Sequence, residues 1–155
     1  MPDYRRIILA CEYALDREAL SNILTSENDL EIVAQLSRAR DIEKLILSKI
    51  KADLLILDLD MPYLDLLGTL RLIREKTPDL IVLLLVERYD EDRIIEAICA
   101  GSLGYILKSA SASELIRSIR ALINGEAWIE RKIMAKVISK FSHPISNSIP
   151  VVQGL

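Results

Sequence analysis

Apolar residues fall along this chain in two alternating styles. Short unbroken runs are separated by longer stretches in which apolar positions recur every three or four residues. The runs predict strands over Arg6–Ala10, Leu30–Gln35, Leu54–Leu57, Leu80–Val86 and Gly104–Leu107. Between them, Leu15, Ala19, Leu20, Ile23 and Leu24 mark a helix over Ala14–Thr25, and Ile42, Leu45, Ile46 and Ile50 mark one over Ala39–Ile50. A third helix runs from about Leu66 to Lys76, stopped by Pro78, and a fourth from Asp90 to Ala100, closed by Gly101. Ser111 and Glu114 fit a capping box for a fifth, which carries Leu115, Ile116, Ile119, Leu122 and Ile123 and closes at Asn124-Gly125.

Strands that are apolar throughout, rather than alternating, belong to a parallel sheet covered on both faces. Right-handed crossovers and short loops then predict an α/β, flavodoxin-like sheet of five strands in the order 2-1-3-4-5, with its switch point between strands one and three. That order sets Glu12 and Asp58 on opposite lips of one crevice, with Val86 and Lys108 at the ends of strands four and five facing the same side. After the sheet, Ile129, Ile133, Met134, Val137, Ile138 and Phe141 line one face of an extra C-terminal helix over about Ile129–Lys140. That face suits either an interface or packing on its own domain. From Ser142 onward Ser, Pro and Asn mark a linker, expected to stop at Leu155 without another folded unit. The expected division is a main domain over 1–126, an amphipathic linker helix over 127–141 and a tail over 142–155.

Composition narrows the class. A length of 155 residues makes one domain with an appendage, and 51% hydrophobic content is ample for its core. A net charge of -3 argues against nucleic-acid binding by the chain itself, because duplex affinity leans on Lys and Arg neutralising phosphates. Any DNA contact is expected through an output domain outside this chain. Two scattered cysteines, Cys11 and Cys99, are too few for a disulfide framework or a zinc site and point to a reducing, cytoplasmic setting. No apolar run reaches the length of a signal core or a bilayer span, so no membrane partner is expected.

The candidate chemistry centres on Lys51–Gly68. Asp58 and Asp60 stand just past the third strand, and Pro62 ends any continuation. The crevice gathers Glu12, Asp58, Asp60 and Lys108. Crowded carboxylates repel unless a cation sits between them, and oxygen-only donors suit Mg²⁺. A Lys ammonium opposite is a point-charge partner for carboxylate or phosphate. The set reads as phosphoryl transfer onto an aspartate.

Those residues carry a resemblance. Leu57-Asp58-Leu59-Asp60-Met61-Pro62, Ala100-Gly101, Gly104-Tyr105-Ile106-Leu107-Lys108 and the helix Glu114–Asn124 with Gly125-Glu126 stand in the order and spacing of a bacterial two-component response-regulator receiver domain. The chain resembles the NarL/LuxR type over roughly Tyr4–Phe141. The resemblance implies that Asp58 is the phosphoacceptor, Lys108 its charge partner and Tyr105 an aromatic switch residue. It implies that Glu12, Asp58 and the backbone carbonyl of Asp60 hold Mg²⁺. It also implies a sensor histidine kinase as donor, and control of homodimerisation or of an attached helix-turn-helix.

Three departures stand against that pattern: Cys11 where an acid is usual, Val86 where Thr or Ser is usual, and Leu66 where Gly is usual. The missing carboxylate removes an attraction of about 4 kcal/mol per unit of cation charge at ~4 Å and an effective dielectric of ~20. The missing hydroxyl removes a hydrogen bond to a charged group, worth about 1.5–3 kcal/mol. Weak Mg²⁺ binding follows, as does a switch at Val86 and Tyr105 without the usual hydroxyl coupling. A receiver-like interaction module that works without phosphate is therefore the alternative. A Mg²⁺-dependent aspartyl phosphatase is the third reading, because Asp58-Leu59-Asp60 resembles the Asp-x-Asp of haloacid-dehalogenase-type enzymes. Pro62 stands where those enzymes carry Thr or Val, so the chain is not expected to be an enzyme. His143, the single histidine, lies in the tail without an evident partner.

Overall fold

A computed structural model describes residues 3–142, and the tail with His143 lies outside them. The elements are β1 (Arg5–Ala10), α1 (Ala14–Thr25), β2 (Leu30–Leu36), α2 (Ala39–Leu47), β3 (Leu54–Asp58), α3 (Leu66–Lys76), β4 (Ile81–Val86), α4 (Glu91–Cys99), β5 (Gly104–Leu107), α5 (Ala112–Ile123) and α6 (Arg131–Ser142). The strands form one five-stranded sheet in the order β2-β1-β3-β4-β5. Every strand pair is parallel.

The sheet divides the core into two layers, as alternation of side chains requires. Ile8, Leu55, Leu57, Val82 and Leu84 face α2, α3, α4 and α6, whereas Ile7, Leu54, Ile56, Leu83 and Leu85 face α1 and α5. Both layers are closed to solvent, which explains why the strands are apolar along their length.

Helix ends follow local side-chain chemistry. Ser111 accepts a hydrogen bond from the Glu114 N–H at 3.0 Å, and Asp65 and Asp90 cap α3 and α4 in the same way. Gly101 follows α4 at φ 122, a conformation that strains any residue with a side chain. α2 ends at Leu47, short of the expected Ile50. There the Ser48 hydroxyl donates to the Leu45 carbonyl at 2.6 Å, and Lys49 turns left-handed at φ 58, so the last turn is closed early.

The segment before α6 was not legible as strand. Trp128 donates its N–H to the Leu103 carbonyl at 3.0 Å, and its own carbonyl accepts from Tyr105 N–H at 3.3 Å. Residues around Trp128 thus run beside β5 as an added parallel bridge, and α6 starts at Arg131 instead of Ile129. A side chain at Gly104 would bring its Cβ to 3.0 Å from Trp128 Cβ, which accounts for glycine there. The stripe on α6 then splits. Ile133 and Val137 are buried against the α4 layer, while Ile138 and Phe141 stay exposed.

Candidate functional site

Parallel pairing brings the carboxyl ends of β1, β3, β4 and β5 to one edge. Ala10 pairs with Leu57, Asp58 with Leu85 and Val86 with Leu107. Asp58 is the last residue of β3 and only 2% exposed. Burying a carboxylate is costly unless it is paired and hydrogen-bonded. Both conditions are met. Oδ1 accepts from the Asp60 N–H at 2.9 Å, and Oδ2 accepts from Lys108 Nζ at 2.8 Å. Lys108 is itself fixed at the end of β5 by its N–H on the Val86 carbonyl at 2.9 Å. Burial works to lower the Lys108 ammonium's pKa, but the hydrogen bond and charge of Asp58 outweigh it and hold it above the usual lysine value.

Two further carboxylates face the same ammonium. Asp16, in the first turn of α1, lies 3.8 Å from Nζ, and Glu87, just past β4, lies 3.9 Å away. Neither was anticipated. A signal existed for Glu87, since it directly follows a strand end that faces the crevice. Asp16 is a polar first-turn residue like many others, and only the folded start of α1 turns it inward.

Asp60 divides its roles between backbone and side chain. Its N–H holds Asp58, while its carboxylate accepts from the Glu87 N–H at 3.2 Å and lies 3.7 Å from Arg93. Arg93 also donates to the Leu59 carbonyl at 3.3 Å, so α4 is tied to the loop after β3. Glu12 lines a cavity with Arg38, Arg40, Pro62 and Tyr63. The backbone carbonyls of Cys11 and Glu12 both accept from Arg17 Nη1 at 2.7 Å, which fixes the turn after β1. Cys11 is fully buried, and burial, followed by the charge of Asp58, pushes its thiol up to about 12. A protonated thiol offers nothing to a hard cation.

Among the described residues no three His, Cys, Asp or Glu gather to hold a metal ion. The donor set expected for Mg²⁺ holds two carboxylates, Glu12 and Asp58, with the backbone carbonyl of Asp60, and so calls for no cluster of three acids. Lys108 pairs with the Asp58 carboxylate, and Glu87 N–H and Arg93 engage the Asp60 side chain, leaving its backbone carbonyl as the expected donor. Two carboxylates and one carbonyl fit a weakly held magnesium ion, with Lys108 competing for Asp58.

Val86 and Tyr105, the two positions expected to act as a switch, are part of the core. Val86 is wholly buried at the end of β4 and shares a hydrophobic layer with Tyr105. Tyr105 is 7% exposed, and its hydroxyl donates to Glu130 Oε1 at 2.9 Å. Burial, reinforced by that hydrogen bond, raises the Tyr105 phenol above its ordinary value. Glu130 immediately precedes α6 and was also unforeseen.

Comparison with known proteins agrees with this fold. The transcriptional regulatory protein LiaR of Bacillus subtilis is 28% identical over 145 residues, covering 94% of this chain and 68% of that protein. The oxygen regulatory protein NreC of Staphylococcus epidermidis is 31% identical over 138 residues, covering 88% of this chain and 62% of that protein. The chain thus spans about two-thirds of the length of these curated relatives. Among solved structures, a LuxR-family two-component response regulator from Aurantimonas superposes with a TM-score of 0.76 at 22% identity, covering 90% of this chain and 99% of its own. The receiver domain of the response regulator NarL from Mycobacterium tuberculosis does so at 0.74 and 21%, covering 81% of this chain and 100% of its own. Among the described residues no helix is long and apolar enough to cross a membrane. Residues 7–120 match the model of the response regulator receiver domain, and the chain belongs to that family.

Proposed function

We propose that Asp58 accepts a phosphoryl group from a phosphohistidine of a sensor kinase. The observation that carries this reading is the Asp58–Lys108 pair: a carboxylate 2% exposed at the carboxyl edge of β3, held at 2.8 Å by an ammonium. An Asp58 oxygen attacks phosphorus, the P–N bond to the histidine breaks, and an acyl phosphate forms. Lys108, on β5, is placed to neutralise the added charge from the side, and the Asp60 N–H steadies the other carboxylate oxygen. Residues 1–126 act as the receiver, 127–141 carry the state onward as a linker helix, and 142–155 are a tail. Control of dimerisation or of an attached DNA-binding output domain completes the reading, in a cytoplasmic setting and without enzymatic turnover of its own. Mg²⁺ associates weakly, with Asp58, Glu12 and the Asp60 carbonyl as its remaining oxygen donors.

The test is direct. The chain incubated with acetyl phosphate and Mg²⁺, or with a cognate kinase, should gain one phosphoryl mass that hydroxylamine removes. Asp58→Asn should abolish it. A chain that stays unmodified under forcing conditions would reject phosphoacceptance.

A second reading has its own support. Val86 offers no hydroxyl, and Lys108 already faces Asp16 and Glu87 besides Asp58. An ammonium so supplied with carboxylates suits a receiver-like module that binds its partner without phosphate. Asp58→Asn leaving partner affinity unchanged would favour it.

A further inference from the structure

The β4–α4 loop has one end in the acceptor site and the other against α6. At the first end, Glu87 lies 3.9 Å from Lys108 Nζ, and its N–H is bound to Asp60. Two residues on, the Tyr89 ring lies 6.3 Å from the Tyr105 ring and beneath Lys132 Nζ, 5.2 Å from its centroid. The Tyr89 hydroxyl donates to Glu91, which pairs with Lys136 of α6. Tyr105 closes the circuit through its hydrogen bond to Glu130. The contact is not superficial: Ile133 is fully buried, and Val137 5% exposed, in the layer that includes Ile94, Ile95 and Ala97 of α4.

We propose that α6 is a latch held by the Tyr105–Glu130 hydrogen bond and released through the loop 87–91 when the charge on Asp58 changes. The route replaces the hydroxyl coupling that Val86 cannot supply. A phosphoryl dianion on Asp58 competes with Glu87 for Lys108. Glu87 is thereby displaced and carries the loop, with Tyr89 and Glu91, away from Lys132 and Lys136. Docked and released α6 are two states whose populations the loop shifts. The latch itself stands on contacts in the unmodified chain; its trigger rests on Asp58 being the phosphoacceptor.

Hydrogen exchange of the 131–142 amides in the full chain tests both parts. Without any phosphodonor, Tyr105→Phe and Glu130→Ala should each speed α6 exchange by about tenfold or more, the loss expected for a hydrogen bond to a charged group. The double variant should exchange no faster than the faster single one, and α3 should be unaffected. Unchanged α6 exchange in Glu130→Ala, an exposed position that keeps the core intact, would overturn the latch. Multiplicative effects in the double variant would do the same. With acetyl phosphate, the phosphorylated chain should show faster α6 exchange, and Tyr89→Ala should take up phosphate while its α6 exchange no longer responds. A phosphorylated native chain with α6 still protected sinks the trigger and leaves phosphoacceptance standing. No adduct on mass analysis sinks phosphoacceptance and the trigger together, and leaves the latch to the variant arm.

Discussion

At the scale of single residues, one departure from the chemistry that the resemblance implies can be tested by adding a single hydroxyl, and it is Val86. Its methyl groups fill a wholly buried site at the end of β4, one strand away from Asp58. Threonine has nearly the same shape but adds a hydroxyl. In the unmodified chain that hydroxyl meets an apolar layer, so Val86→Thr should cost about 1–3 kcal/mol in chemical denaturation. On a phosphorylated Asp58 the same hydroxyl would gain a charged acceptor, worth about 1.5–3 kcal/mol. The phosphorylated fraction at limiting acetyl phosphate should then rise roughly ten- to a hundredfold, read by intact mass. A fraction equal to that of the native chain would show that position 86 does not face the phosphoryl group. Asp58 and Lys108 were legible in the sequence because each ends a short apolar run, where a parallel sheet collects its site residues. Asp16 and Glu130 were not, because their partners lie far along the chain, at Lys108 and Tyr105, and no local pattern records that meeting.

At the scale of elements, strands and helices were legible to within a few residues because each obeys one period and one set of end signals. α6 shows the limit of that logic. Its stripe joins Ile133, Val137, Ile138 and Phe141 on one broad face, and periodicity says that such a face is apolar, not what covers it. Packing on α4 takes Ile133 and Val137 and leaves Ile138 and Phe141 56% and 62% exposed. Two substitutions of equal size should therefore differ sharply. Ile133→Ala opens a cavity between α6 and α4 and should cost about 2–5 kcal/mol if α6 unfolds with the rest. Ile138→Ala removes no buried contact and should stay within about 0.5 kcal/mol. Urea unfolding followed by far-UV circular dichroism measures both. If Ile133→Ala yields a separate early transition, α6 opens as its own unit before the sheet does.

At the scale of the whole molecule, two of the ion-pair systems among the described residues stand at opposite ends of the strands and join parts of the chain that its order keeps apart. One centres on Asp58 and Lys108, on the carboxyl edge of the sheet. The other lies at the opposite end of the strands, where Arg120 of α5 donates to Asp29 at 2.6 and 2.7 Å and to Glu27 at 3.0 Å, just before β2. Arg120 holds the Asp29 carboxyl below the usual carboxylate range chiefly through that hydrogen bond, with Arg5 adding a weaker pull. A depressed folded pKa means that the unfolded chain binds the proton first as acid is added. The contribution is therefore present above the ordinary aspartate pKa and is lost as pH falls through the lower folded value. These groups are well exposed, so water and salt screen the pair. Arg120→Ala should lower stability near neutral pH by a modest amount that shrinks in 1 M salt. It should also flatten the fall in stability below the ordinary aspartate pKa, so that the native and variant curves converge in acid. Denaturant titrations of both chains across the acid range decide it, and a difference that stays constant with pH would mean that Arg120 acts by packing its aliphatic stem rather than by charge.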